Sequence, residues 1–327
     1  MNVLVTGASG FIGQALVRRM SQQFGWSVLA ATRGVPRQAD PKGWNKLVIA
    51  DAVRWVNLPD LPSPMPIDLF LDIEVVVHCA ARVHVMEEKD CHPLAAFRAV
   101  NLVGTLQIAE AAARAGVRRF VFLSTVKVHG EETGCRAAFT ADSPLHPADA
   151  YAQSKMEAEQ ALWKLSERTG LEIVIVRPPL VYGPGVKANF LSLMGLLNKG
   201  LPLPLGAIRN RRSLVGLDNL VDLLLVCVNH LNAQGQAFLV SDGADCSTTE
   251  LLKRLGQALG KPPRLLPIPP ALLWTAGVLL GRRAVVERIC GSLHVDIGKT
   301  RKLLGWEPPV TLSEGLRRTA ESFLRGD

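Results

Sequence analysis

The sequence predicts an α/β fold: a doubly wound parallel sheet with helices on both faces, then a smaller, mainly helical C-terminal region. Three observations carry this expectation. An apolar strand at residues 3–6 runs into a turn with three evenly spaced glycines and then an amphipathic helix. Strand and helix patterns alternate from there to Arg177, as right-handed crossovers require. After Pro178-Pro179 the alternation gives way to shorter elements punctuated by Gly, Pro and Leu. The expected boundary therefore divides residues 1–177 from 178–327, with strands near 213–215 and 236–240 returning to the first domain.

The glycine turn is the first chemical signal. Gly7, Gly10 and Gly13 are spaced Gly-x-x-Gly-x-x-Gly, with Ser9, Phe11 and Ile12 between them. Gly7 permits the tight turn, Gly10 admits a pyrophosphate to the backbone, and Gly13 lets helix and strand pack closely. The helix N-terminus faces the anion. The second strand, 27–32, ends at Thr32-Arg33 where NAD binders usually place an acid, and no acid follows before Asp40. A guanidinium at Arg33, with Arg37 beyond, suits a 2′-phosphate, so NADP(H) is preferred and NAD(H) possible.

A third strand is expected at 46–50, ending at Asp51-Ala52, where the carboxylate can accept from an adenine amino group. Four prolines between 57 and 68 rule out a long helix there. The fourth strand, 74–79, ends in Ala80-Ala81-Arg82, small residues that leave room for a flat ligand. A long helix is expected at 95–115, carrying Asn101, and a fifth strand at 118–123, ending at Ser124-Thr125. Next comes a helix capped by Asp149 and opening with Tyr151-Ala152-Gln153-Ser154-Lys155. Tyr151 and Lys155 lie one turn apart on one face. Phenol titrates near ~10. A nearby ammonium is expected to lower that value and let Tyr151 exchange a proton with a substrate oxygen near neutral pH. With Ser124 and Thr125 these residues form the candidate catalytic set.

Beyond Arg177 the pattern predicts helices near 188–198, from Asp218 onward (capped by Asp218 or Asn219), at 248–259 and at 312–324. Composition limits the function classes. Nearly half the residues, 48%, are apolar and 20% are charged, which is globular rather than disordered. No apolar run can span a bilayer. The nearest, 271–280, is half the needed length and reads as a buried or interface helix, with peripheral membrane contact the lesser reading. The chain enters a strand pattern at once, without a basic leader, so a cytoplasmic protein without a signal peptide is expected. Six cysteines at 79, 91, 135, 227, 246 and 290 show neither Cys-x-x-Cys nor metal spacing, which fits free thiols in a reducing compartment. The net charge of +8 favours anionic ligands, but the basic residues are dispersed without aromatic interleaving, so nucleic acid is disfavoured.

Taken together, the Gly7–Gly13 loop, Asp51, His78-Cys79-Ala80-Ala81, Asn101, Ser124-Thr125, Tyr151-x-x-x-Lys155 and the run from Arg177-Pro178-Pro179 to Gly185 resemble the extended short-chain dehydrogenase/reductase family in order and spacing. The resemblance covers nearly the whole chain. It implies a Rossmann fold with a smaller C-terminal substrate domain, Tyr151 as acid/base and Lys155 on the nicotinamide ribose. It further implies that Thr125 bonds the substrate oxygen and that 178–181, with Pro178 and Val181, lies beside the nicotinamide. The substrate implied is a UDP-sugar, with His84, Lys127, Asn189 and Arg212 as its contacts and the last two near the diphosphate. A homodimer through the helices at 92–115 and 149–168 is implied as well. The stretches 211–221 and 302–306 are similar to those of bacterial 4-ketoreductases that act on UDP-N-acetyl-6-deoxy sugars in polysaccharide synthesis, the UDP-N-acetylquinovosamine dehydrogenases.

Two departures matter. Val128-His129-Gly130 replaces the usual Val-Tyr-Gly, and Thr125-Val126-Lys127 lacks the two carboxylates of 4,6-dehydratases. Three readings follow: a 4-ketosugar reductase first, a UDP-hexose 4-epimerase second, and a non-catalytic NADP-binding regulatory protein third.

Overall fold

A computed structural model describes residues 1–33, 52–83, 92–134 and 137–326. Its centre is a seven-stranded parallel sheet. In chain order the strands are β1 (Asn2–Thr6), β2 (Ser27–Arg33), β3 (Val53–Leu58), β4 (Val75–His78), β5 (Arg119–Leu123), β6 (Glu172–Arg177) and, after a two-stranded sheet of β7 (Leu180–Tyr182) and β8 (Leu214–Gly216), β9 (Gln236–Leu239). Across the sheet the order is β3-β2-β1-β4-β5-β6-β9. The strands are near-continuous apolar runs because helices cover both faces. Successive residues point to opposite sides. Val3 and Val5 join one core with helix α1 (Phe11–Ser21) and helix α6 (Leu217–Asn229), while Leu4 joins the other with α3 (Thr105–Arg114) and α4 (Ala150–Thr169).

The sheet matches the fold expected from the alternating pattern, and three details differ among the described residues. The expected strand at 46–50 lies outside the described residues, and the third strand observed is β3, parallel to β2. The expected single helix at 95–115 is three pieces: α2 (Pro93–Arg98), a π-helical turn (Ala99–Gly104) and α3. The wide turn places Asn101 where its amide bonds neighbouring elements, and Gly104 sits where a Cβ would meet Leu61 Cβ at 2.8 Å. Of the two later strands expected to rejoin the sheet, β9 does, beside β6. β8 instead pairs with β7, because Pro178-Pro179 supplies no ladder N–H and the chain leaves the sheet there. Helix α6 is capped by Gly216 rather than by Asp218 or Asn219. Asn219 donates to Asp242 and to the Val310 carbonyl, and Asp218 pairs with Arg318.

The C-terminal part comprises α5 (Ala188–Asn198), α7 (Thr248–Ala258), α8 (Pro270–Leu279), α9 (Arg283–Cys290), α10 (Gly298–Leu304) and α11 (Leu312–Arg325). Helices α5, α7 and α11 share a third core around buried Tyr182, whose hydroxyl donates to Asp242. The apolar 271–280 stretch, expected as a buried or interface helix, is the exception. Within α8 only Gly277 is buried. No helix among the described residues is long and apolar enough to cross a membrane.

Candidate active site

The carboxyl ends of β1, β4, β5 and β6 meet along one edge of the sheet, where parallel α/β folds bind ligands. At β1 the backbone of Gly7 is left-handed, with φ +67, and a Cβ there would meet Ala80 N at 2.7 Å. A Cβ on Gly13 would meet Gly7 O at 2.2 Å. These two glycines are required by packing. Gly10 differs: it is the N-cap of α1, makes no side-chain cap bond, and is exposed together with Ser9, while Phe11 and Ile12 are half-buried. A Cβ on Gly10 would meet only Gly7 O, at 3.1 Å. An open glycine shelf on an uncapped helix N-terminus fits a pyrophosphate.

His78 anchors this loop to β4. Its Nδ1 lies 2.7 Å from Thr6 Oγ1 and its Nε2 3.0 Å from Thr105 Oγ1, while Thr6 Oγ1 also accepts from Ala80 N. Burial, with the nearby Lys155 charge adding, lowers the imidazole pKa to about 3, so the ring is a neutral hydrogen-bonding strut. Beyond it, Ala80 and Ala81 are half-buried. The Asn101 amide accepts from Arg82 N (2.8 Å) and donates to Arg82 O (3.0 Å) and to Ser154 Oγ (3.0 Å). Asn101 thus ties the β4 loop to α4. The Arg82 guanidinium lies over the Phe97 ring, which in turn meets the Tyr151 ring edge-on.

Helix α4 begins as its sequence implies. Asp149 Oδ1 accepts from Ala152 N at 2.6 Å, and its Oδ2 accepts from Lys127 Nζ at 2.8 Å. Thr125, nine-tenths buried, caps the turn that carries Lys127. The Lys127–Asp149 pair therefore clamps the end of β5 to the start of α4, bringing Thr125 to the same corner as Tyr151. Lys127, expected at the substrate, is also paired with Glu131. Pro178 O accepts from Val126 N at 3.0 Å, which sets the start of β7, with half-buried Val181, beside this turn.

Ser124 is occupied elsewhere. Its hydroxyl donates to Glu159, which is 1% exposed and forked by the Arg177 guanidinium at 2.6–3.2 Å. Arg177 also donates to Ala141 O and to His129 Nε2, and His129 Nδ1 donates to Pro144 O. His129 stacks on Phe139 and supplies an acceptor to Arg177. The Ser124 hydroxyl, expected in the catalytic set, is thus engaged by Glu159. Glu159 was not singled out by sequence reasoning, although Tyr151, Lys155 and Glu159 repeat at intervals of four, which puts them along one helix face.

Lys155 is 1% exposed, and its ammonium lies 4.1 Å from the Phe122 ring centroid. Burial lowers its pKa to about 7 against weaker opposing effects of Cys79 and Glu159. Burial, with the Asp149 carboxylate adding, pushes the Tyr151 phenol up. The expected lowering of the Tyr151 phenol by Lys155 is thus opposed by desolvation, which raises the phenol and lowers the lysine. Cys79, behind them, is raised by burial to about 12 and is inert. Between pH about 7 and ~10 the unfolded chain holds a proton on Lys155 that the folded one lacks, so stability rises with pH across that window. Below it the buried ammonium is a cost. Lys155→Met is therefore expected to raise Tm by about 3 °C or more at pH 6, with the gain shrinking towards pH 10, as a calorimetric pH series would show.

Asp51 and His84 lie outside the described residues; Ala52, half-buried, directly precedes β3. Arg33 ends β2 with its side chain exposed. Asn189 is exposed in the first turn of α5, next to Ala188, whose φ of 56 is left-handed. Arg212 donates to the carbonyls of Arg288 (2.7 Å) and Gly291 (3.1 Å).

Residues 3–241 match the model of the NAD dependent epimerase/dehydratase family. The chain belongs to that family. Across its full length it is 43% identical to a UDP-glucose 4-epimerase of Vibrio cholerae, covering 96% of that protein. A second UDP-glucose 4-epimerase, of Mycolicibacterium smegmatis, is 32% identical over 99% of this chain and 98% of its own. Among solved structures, the UDP-glucuronic acid 4-epimerase of Bacillus cereus in complex with NAD superposes with a TM-score of 0.77 over 99% of both chains at 21% identity, a likeness of fold. Like these family members, the protein is an enzyme of the short-chain dehydrogenase type.

Proposed function

We propose that the protein is a UDP-hexose 4-epimerase. The observation that carries this reading is the pairing of an acid/base corner, Thr125 with Tyr151, with Val126-Lys127 where a dehydratase needs two carboxylates. Such a corner moves one proton and has nothing to expel water. That leaves reduction and epimerisation, and the full-length likeness to two UDP-glucose 4-epimerases favours the second over the 4-ketosugar reductase expected from residues 211–221 and 302–306. A non-catalytic role is disfavoured by the intact Thr125, Tyr151 and Lys155.

In this reading the Gly7–Gly13 shelf holds the pyrophosphate of a nicotinamide dinucleotide, Ala80, Ala81 and Asn101 line its path, and Lys155 meets the nicotinamide ribose. Bound there, the nicotinamide supplies hydride acceptance and return. The chain does the rest. Thr125 bonds the sugar O4 and Tyr151 takes its proton. Once the 4-keto sugar has turned its other face, Tyr151 returns the proton to the opposite epimer. Asn189 and Arg212 hold the UDP diphosphate, as a guanidinium and an amide suit an anion. Two copies pair through α2, α3, α4 and the π-helical turn between α2 and α3, where Val103 is 42% exposed.

On the dinucleotide, the solved relative carries NAD, whereas Arg33 offers a guanidinium to a 2′-phosphate. We assign NAD as the working cofactor, with NADP admitted through Arg33. Arg33→Asp is expected to weaken NADP⁺ by roughly 1–3 kcal/mol, the scale of a charge-assisted bond, and to leave NAD⁺ nearly unchanged. Calorimetric titration with both reads the difference, and equal losses for the two would remove Arg33 from the site. The reading itself is tested by denaturing the protein as purified: an epimerase that recycles its hydride releases tightly held dinucleotide, whereas a reductase, which exchanges cofactor every turnover, releases none.

A further inference from the structure

Helices α8 and α9 form a built unit at the surface. Gly277 lets them touch: a Cβ there would meet Val286 Cγ2 at 2.5 Å. Gly281, at φ +65, makes the turn between them. Helix α8 is apolar on every side. Leu272 and Val278 are each 59% exposed, and Leu279 and Leu280 are 81% and 73% exposed. Trp274 is half-buried, and the one polar side chain, Thr275, satisfies its hydroxyl on Ala271 O at 2.9 Å. No charged residue occurs from 265 to 281.

The charges flanking this patch in the chain are predominantly basic. Lys261 and Arg264 precede it, and Arg282, Arg283 and Arg288 follow, all exposed. The one acid from 261 to 291, Glu287, is already paired with Arg283 at 2.9 Å. A groove on another protein covers one stripe of a helix, and α8 offers no polar stripe to leave in water. A second copy would bring the same basic rim against itself, because a two-fold interface joins like surfaces. A bilayer leaflet surrounds a helix on its apolar sides and presents anionic headgroups to the arginines at its rim. Ten residues rise about 15 Å, half the hydrocarbon thickness, so the helix enters one leaflet and does not cross.

We propose that the α8–α9 hairpin docks this protein on an anionic lipid surface. The full chain is tested by co-sedimentation with vesicles of phosphatidylcholine alone or mixed with phosphatidylglycerol. The wild type is expected to pellet with the mixed vesicles and to be released by salt. Leu279→Asp/Leu280→Asp, at exposed positions, is expected to stay in the supernatant with Tm and sugar turnover unchanged. Arg282→Glu/Arg283→Glu is expected to lower the partition coefficient at least about tenfold. Wild type that stays in the supernatant with both vesicle types overturns the proposal. So does light scattering in which the Leu279→Asp/Leu280→Asp variant turns a dimer into a monomer, since α8 is then covered by a second copy.

Discussion

Tyr151→Phe is expected to lower kcat for a UDP-sugar by about 10²–10⁴, the range for loss of one acid/base group, with dinucleotide affinity nearly unchanged. The ring keeps its edge-on contact with Phe97, so packing survives and only the transferable proton is lost. The pH profile sharpens the test. Burial and Asp149 push the phenol up, and burial pushes Lys155 down to about 7. Phenolate is therefore favoured only by positive charge beside it, which a protonated Lys155 would supply and a bound oxidised nicotinamide would add to. Wild-type kcat is expected to rise with pH before reaching a plateau, and the residual rate of Tyr151→Phe to be flat over the same range. A correctly folded Phe variant at near wild-type rate would assign the proton transfer elsewhere, Thr125 first.

Glu159→Ala is expected to destabilise the fold by about 3–5 kcal/mol, because it leaves the Arg177 guanidinium buried without its counter-charge. Arg177 would retain only neutral partners, Ala141 O and His129 Nε2, and Ser124 would lose its acceptor. The end of β5 would then be tied to α4 through the Lys127–Asp149 pair without the Glu159 contact, so activity falls as well. Removing both charges, as Glu159→Met/Arg177→Met, is expected to recover much of the stability, since the lost partner rather than the lost pair carries the cost. Urea unfolding of the two single variants and the double variant measures this. A Glu159→Ala loss under about 1 kcal/mol would mean that Arg177 finds water at this site.

How much of this was legible in the sequence depends on the range of the interactions. The glycine turn, the Asp149 cap and the Tyr151–Lys155 spacing are local, and the structure places each as its spacing implies. The π-helical turn at Asn101 was not legible, because it depends on partners 19 and 53 residues away. The Glu159–Arg177–His129 network was hidden for the same reason: a glutamate in a good helix-forming run reads as solvent-facing until β6 and the β5 turn close over it. For α8 the expectation was a buried or interface helix, and the structure removes only the first half, because an apolar run implies burial without saying in what medium. The spacing of Tyr151 and Lys155 reports their proximity but not the desolvation that dominates both groups.

The most direct test of the central claim follows UDP-galactose by NMR with the purified enzyme and no added reductant. The account predicts conversion to UDP-glucose until a fixed ratio is reached, the same ratio when started from UDP-glucose, and no net consumption of NADH or NADPH. Turnover of a UDP-4-keto sugar that consumes one equivalent of NAD(P)H per product, with neither UDP-hexose interconverted, would contradict it and restore the reductase.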